Sequence, residues 1–92
     1  MDNFLNHIKD NIDLRNFVLI KTTSNKAVIF KIFHKYTKCI YISVFDDSIE
    51  VSIDKVFDEK NFYKGIERLI IDKKSFNNFN DSLNYIKKNI AI

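Results

Sequence analysis

A chain of 92 residues that is 46% hydrophobic and 14% aromatic has the length of one domain and enough apolar side chains for a packed core, which excludes a disordered protein. Its formal net charge of +3 is small, and its single glycine excludes the glycine-rich loops that bind phosphates or dinucleotides. We therefore expect one compact domain over residues 1–92.

Cysteine and histidine are too scarce for an internal disulfide or a zinc site. Cys39 is the only cysteine, and His7 and His34 are the only histidines, whereas a structural zinc site takes about four such ligands. No run approaches the roughly 18 apolar residues of a membrane helix, and charged residues interrupt the N-terminal region where a signal peptide would be apolar. We expect a cytoplasmic protein without membrane contact, metal or cofactor.

The first predicted element is a short amphipathic helix over residues 2–12, because its apolar side chains recur at helical spacing. Asp2 or Asn3 is the expected N-cap of this helix. The apolar residues that would face the core are Phe4, Leu5, Ile8 and Ile12.

Four strand-like runs follow the first helix. From residue 17 the apolar pattern repeats every second residue, which is typical of strands. The links between the runs are short, whereas parallel pairing would need a crossover of about a dozen residues, so the strands are predicted to form an antiparallel meander. The runs span residues 17–23, 27–34, 39–45 and 48–54.

Residues 56–72 fit two structures. Their apolar residues match a helical stripe, while the run IERLIID also fits a strand. Gly65 weakens a continuous helix by about 1 kcal/mol relative to alanine. We favour a loop or helical turn at 57–64 that leads into a fifth strand near 66–72.

The C-terminal segment predicts a second amphipathic helix. Asn78, followed three residues later by Asp81, resembles a capping box, and Lys87 and Lys88 suit the negative end of the helix dipole. The fold class is therefore α+β, an antiparallel β-meander of four to five strands flanked by an N-terminal and a C-terminal helix. The apolar stripe of the last helix consists of Phe76, Phe79, Leu83, Ile86 and Ile90.

Apolar residues occupy both faces of the first three strands, whereas a sheet with one face in water should alternate apolar and polar residues. Three coverings of the second face are open. In the first, the chain covers the second face itself, because the two helices pack on opposite faces or residues 56–72 fold over that face. In the second, a partner protein or a second copy of the chain covers it. In the third, a single strand of nucleic acid stacks on it. With Ile40, Ile42 and Val44 pointing to the core, the second face is predicted to bear Leu19, Ile29, Phe33, Tyr41 and Phe45.

Candidates for catalytic or metal chemistry are few. His34 and Cys39 flank the turn between the second and third strands and on paper resemble a thiolate–imidazole pair, but a free cysteine in a strand is more typical of core packing. Asp46 and Asp47 are typical of a tight turn, and a calcium loop would need several more oxygen ligands. We expect neither an enzyme nor a metal site.

Residue usage and charge distribution favour a binding role. The chain holds fifteen Ile, thirteen Lys and eleven Asn, which have AT-rich codons, beside two Arg. We infer a low-GC bacterium or one of its phages or mobile elements, so many of the lysines reflect genome composition. Residues 46–59 carry six acidic residues and one basic residue, and such an acidic surface can dock on a basic site of another protein.

The first functional hypothesis is a small non-enzymatic protein-binding domain, namely a phage or mobile-element inhibitor of a host nucleic-acid-handling machine, in the manner of an anti-CRISPR protein. Its partner would be a host nuclease or a nucleic-acid-binding complex, with a homodimer as a further alternative. The predicted protein-binding residues are Phe33, Tyr41, Phe45, Asp46, Asp47, Glu50, Asp54, Asp58 and Glu59. The alternative hypothesis is a single-stranded RNA- or DNA-binding module that uses Lys31, Lys35, Tyr36 and Lys38.

Overall fold

The structure is a computed structural model that describes residues 1–57 and 68–91. The described residues form an antiparallel sheet with a helix at each end of the chain, which confirms the predicted α+β fold. In chain order the elements are α1 (Asp2–Asn11), β1 (Val18–Thr23), β2 (Lys26–Ile32), β3 (Thr37–Val44), β4 (Ile49–Val56), β5 (Arg68–Phe76) and α2 (Phe79–Ala91).

The sheet is a five-stranded meander in which every neighbouring pair is antiparallel and the spatial order follows the chain order. The predicted fifth strand is confirmed, since β5 pairs with β4 from Val56 opposite Arg68 to Ile49 opposite Phe76. The register shifts once, so that Ile71 has no opposite residue on β4. Phe76 therefore ends β5, and its assignment to the C-terminal helix was wrong.

Both helices pack on the same face of the sheet, which we call the helix face. The alternative in which they cover opposite faces is excluded, because apolar residues of α1 and α2 share one buried cluster with the sheet. Leu19, Ile29 and Ile40 are successive cross-strand neighbours and belong to this cluster. Leu19 and Ile29 were therefore wrongly assigned to the second face.

The second face of the sheet carries a smaller buried cluster of Val28, Phe30, Cys39 and Val56, with Tyr41 packed against it. The assignment of Tyr41 to this face was correct, since Tyr41 lies opposite Val28. Two polar side chains of β4 on this face, Ser52 and Asp54, are buried as well. The second face is thus partly a core of its own, which includes an ionisable residue.

The two helices begin differently. The N-cap of α1 is Met1, without a side-chain hydrogen bond, because the predicted cap Asp2 instead pairs with Lys21 at 2.9 Å. At α2, Asn78 Oδ1 accepts a hydrogen bond from the backbone N–H of Asp81 at 2.9 Å, and Asn78 Nδ2 donates to Asp81 Oδ2 at 3.0 Å. The predicted Asn78 cap is confirmed. Neither helix in the described ranges is long and apolar enough to cross a membrane.

Candidate functional site

β5 is an edge strand with exposed aliphatic side chains. It pairs with β4 along one side, and no other strand of residues 1–57 or 68–91 pairs with its outer side. Leu69, Ile70 and Ile71 are 56%, 47% and 53% exposed. Proteins commonly shield such edges with lysines or bulges; here the register shift lies at Ile71, and Lys73 and Lys74 come only after Asp72, so Leu69 and Ile70 carry no charge of their own. Among the described residues the outer side of the first half of β5 is therefore unpaired, and this half is called here the β5 edge.

Three lysines lie side by side across the sheet. Lys31 of β2 is opposite Lys38 of β3, which is in turn opposite Lys55 of β4. Residues in such positions have Cα atoms about 5 Å apart, and like charges directly opposite each other are destabilising. None of the three forms a salt bridge with a carboxylate of the described residues. We call these three residues the lysine row.

Aromatic rings of the β2–β3 turn hold the two ends of the lysine row. Phe33 and Tyr36 stack with centroids 5.1 Å apart and an interplanar angle of 17°. The Nζ atom of Lys31 lies 5.1 Å from the Phe33 centroid, and that of Lys55 lies 4.7 Å from the Tyr36 centroid. Because the two rings leave no room for an ammonium between them, each lysine covers an outer ring face. The four side chains form a cation–ring–ring–cation stack.

The central lysine of the row is held by α2. Lys38 Nζ donates a hydrogen bond to the carbonyl oxygen of Asn89 at 2.6 Å, near the C-terminal end of the helix where the dipole is negative. The ring of Phe17 lies 5.9 Å from Lys38 Nζ and 5.9 Å from Lys31 Nζ. Partial burial lowers the pKa of Lys38. These contacts restrain the ammonium groups before any ligand arrives.

The acidic β3–β4 turn lies at the other end of β3. Phe45, Asp46 and Asp47 are all exposed, Phe45 by 46%. Neither aspartate is in an ion pair with a described cation. Phe33 lies beyond the opposite end of the sheet, because the β2–β3 turn is at the other end of β3. The structure therefore does not place Phe33 on one surface with the acidic turn.

The remaining acidic residues of β4 are neutralised within the chain. Glu50 pairs with Lys73 at 2.9 Å. Asp54 is fully buried, accepts a hydrogen bond from Ser52 Oγ, and lies 3.2 Å through Oδ2 from Arg68 Nε. A depression of about 250 Å³, partly lined by Ser52 and Arg68, lies beside this group. The predicted residues Asp58 and Glu59 lie outside the described residues.

Arg68 also contacts Tyr41 on the second face. Its guanidinium carbon lies 5.4 Å from the Tyr41 ring centroid, so the cation is shared between the ring and the buried carboxylate of Asp54. Burial raises the pKa of Tyr41. Tyr41, Asp54 and Arg68 therefore form a structural cluster beside the small apolar core of this face.

Cys39 and His34 are not brought together. Cys39 is fully buried and lies opposite Phe30 and Asp54, whereas His34 is exposed in the β2–β3 turn, and no contact between the two is seen. Burial raises the pKa of the Cys39 thiol to about 11, so the thiol stays protonated near neutral pH. No group of three His, Cys, Asp or Glu in the described part of the chain has a metal-binding arrangement.

Lys31, Tyr36 and Lys38 of the predicted nucleic-acid set do lie together, and Lys35 is exposed in the adjoining turn. Sequence reasoning missed Lys55 and Phe17 of the same surface, as well as the β5 edge. Each lysine of the row lies two residues along its strand from a member of the buried row Ile29, Ile40 and Ile53, so the sequence locates the lysine row only once the register of the strands is known.

Comparisons of the chain with protein-family models, curated proteins and solved structures give no match.

Proposed function

We propose that the chain is a non-enzymatic protein-binding domain whose β5 edge accepts an extended segment of another protein. The observation that carries the proposal is the exposure of Leu69, Ile70 and Ile71 in succession on an edge strand. The outer side of such a strand offers backbone N–H and C=O groups to a further strand. A partner that adds there gains affinity from main-chain hydrogen bonds and specificity from alternate side chains.

The side chains of β5 restrict the partner segment. Leu69 lies opposite Lys55 on the helix face, and Ile70 lies opposite Asp54 on the second face, so the segment needs apolar side chains toward both faces at this point. Farther along the strand Lys73 is paired with Glu50, whereas Lys74 forms no salt bridge with a described carboxylate and favours acidic residues in the partner. The expected segment is apolar over one half and acidic over the other.

Two lysine substitutions test the β5 edge. Ile70→Lys places a charge on this edge strand, and Ile20→Lys makes the same change on the other edge strand, β1, where Ile20 is 41% exposed. A partner captured from the native host and then purified is expected to bind the wild type and Ile20→Lys, but not Ile70→Lys. On binding, amide hydrogen exchange in β5 should slow. Unchanged exchange in β5, or binding retained by Ile70→Lys, would rule out strand addition at this edge.

Self-association is the competing outcome at the β5 edge. Light scattering of the purified chain distinguishes the two cases, since a second copy that pairs β5 with β5 doubles the mass without any partner. A dimer that Ile70→Lys converts to a monomer would show that the edge serves the chain itself and would overturn the proposal of a foreign segment.

We further propose that the partner belongs to a nucleic-acid-handling machine and that binding inhibits it, a CRISPR nuclease being the specific candidate. The support is the exposed pair Asp46 and Asp47, which can occupy a basic site that otherwise holds phosphates, together with the AT-rich residue usage. Cleavage assays with purified nucleases test this. We expect inhibition by the wild type and weaker inhibition by Asp46→Asn/Asp47→Asn; no inhibition across a panel of nucleases would contradict it.

A further inference from the structure

The lysine row is an unfavourable arrangement for the isolated chain. Its three ammonium groups come from adjacent strands in direct register, without a salt bridge to any described carboxylate. Lys21 and Lys73 do form such bridges, with Asp2 and Glu50, but what sets the row apart from the other lysines without a bridge is that its three members lie opposite one another. Like charges in direct register repel one another; the two rings and the Asn89 carbonyl offset part of this repulsion, and an anion that spans the row would offset more of it. The row therefore fits a ligand with several negative charges in a line.

The rings beside the row indicate which part of such a ligand is contacted. Each of Phe33 and Tyr36 has one face against the other ring and the opposite face under a lysine, Lys31 or Lys55. A base could stack here only by displacing one of these lysines. The rings thus hold the ammonium groups in position and leave no free stacking face.

We propose that the lysine row, with Lys35 from the adjoining turn, binds the phosphodiester backbone of a nucleic acid without reading its bases. Repeating phosphates complement a line of cations that forms no salt bridge with a carboxylate of residues 1–57 or 68–91. Lysine suits this task because its ammonium is a point charge that needs no bidentate geometry. The proposed nucleic-acid site consists of residues other than those of the β5 edge, so it can be tested independently of the protein partner.

Fluorescence anisotropy with three labelled probes of about 20 nucleotides tests the proposal: an oligothymidylate, an abasic strand and a duplex. The abasic strand is expected to bind within about threefold of the oligothymidylate, because the bases make no contact. For four contacts with a single strand, the slope of log K against log salt should be about −3, at roughly 0.7 per phosphate. Comparing the single strand with the duplex shows which form of the backbone is preferred.

A pair of matched variants locates the site. Lys55→Gln removes one member of the lysine row, whereas Lys26→Gln removes an exposed lysine at the opposite end of β2. At 0.1 M salt Lys55→Gln is expected to weaken single-strand binding about fivefold and to reduce the salt slope by about 0.7. Lys26→Gln should change affinity by less than about twofold, since it contributes no contact. A melting temperature of Lys55→Gln at or above that of the wild type shows that lost binding is not unfolding.

Four results would overturn the proposal. Equal losses of affinity in Lys55→Gln and Lys26→Gln would indicate that net charge alone drives binding, and an abasic strand that binds more than about tenfold more weakly would indicate base stacking. Polyglutamate that binds as tightly as the oligothymidylate would indicate that the ligand is an acidic protein. The fourth result is no binding of any probe at low salt.

Discussion

Replacing Arg68 by glutamine is expected to destabilise the fold, because it leaves a buried carboxylate without its cation. Asp54 is 0% exposed, accepts a hydrogen bond from Ser52 Oγ, and has Arg68 Nε 3.2 Å from Oδ2. Oδ2 accepts no hydrogen bond within the described ranges, and its contact with Arg68 is an ion pair only. The charge on Asp54 is therefore compensated chiefly by one arginine.

The exposure of the two partners sets the size of the effect. Removing one partner of a fully buried ion pair costs about 3–5 kcal/mol. The Arg68 side chain is 39% exposed, so water can approach the site after substitution, and we expect a loss of about 2 kcal/mol. For a domain of this length that corresponds to a fall in melting temperature of roughly 8–16 °C. Asp54→Asn should cost about 1 kcal/mol, because Ser52 still has an acceptor.

A double-mutant cycle isolates the contact. Urea unfolding of the wild type, both single variants and Asp54→Asn/Arg68→Gln, followed by circular dichroism, gives the four free energies of unfolding. The double variant is expected to lose about 1–1.5 kcal/mol, less than the sum of the single changes, because it leaves no uncompensated charge. Lys73→Gln is the control, since its pair with Glu50 is exposed and should contribute less than about 1 kcal/mol.

Additive losses in this cycle would refute the reasoning, because they would mean that Arg68 does not compensate Asp54. A change of less than about 0.5 kcal/mol for Arg68→Gln would refute it too, since surface substitutions commonly lie within that range.

Two further predictions concern the second face and α2. Because burial raises the pKa of Cys39 to about 11 from 9.0, alkylation by iodoacetamide at pH 8 should be at least about 100-fold slower in the folded than in the urea-unfolded chain. The same shift makes the free energy of unfolding fall between pH 9 and 11, where the unfolded thiol ionises first; equal alkylation rates or a flat pH profile would contradict it. Asn78→Ala should lower the free energy of unfolding by about 1 kcal/mol through loss of the cap, whereas Asn80→Ala, an exposed change within α2, should leave it nearly unchanged in the same urea titration.

The local pattern of apolar residues predicted the type of the elements, but it did not predict which face of the sheet each side chain occupies. The alternation of Ile49, Val51 and Ile53 predicted which side of β4 meets the core, and those residues are buried. In β2 both Ile29 and Phe30 are apolar, so periodicity cannot choose between them. The pairing of Ile29 with Ile40 decided the matter, because a shift of one residue in register moves every side chain to the other face.

The candidate surfaces also include features that local sequence locates and others that depend on strand register. The exposed turn with Asp46 and Asp47 could be located from sequence, since turn chemistry is local. The pairing of Asp54 with Arg68 could not, because the two residues lie on different strands and meet only through the β4–β5 register. The described part of the acidic segment, residues 46–57, was thereby divided into an exposed turn and two carboxylates paired with cations. Lys55, counted as a lone base in that segment, proved to be a member of the lysine row.

The sequence by itself determined the two helices, the first four strands with their antiparallel order and the cap of α2, because hydrophobic period, link length and capping chemistry act over a few residues. Only the tertiary structure decided that both helices cover one face, that the lysines of three strands stand in line, and that an aliphatic strand ends the sheet at its edge. These outcomes depend on register and burial, which join residues far apart in the chain.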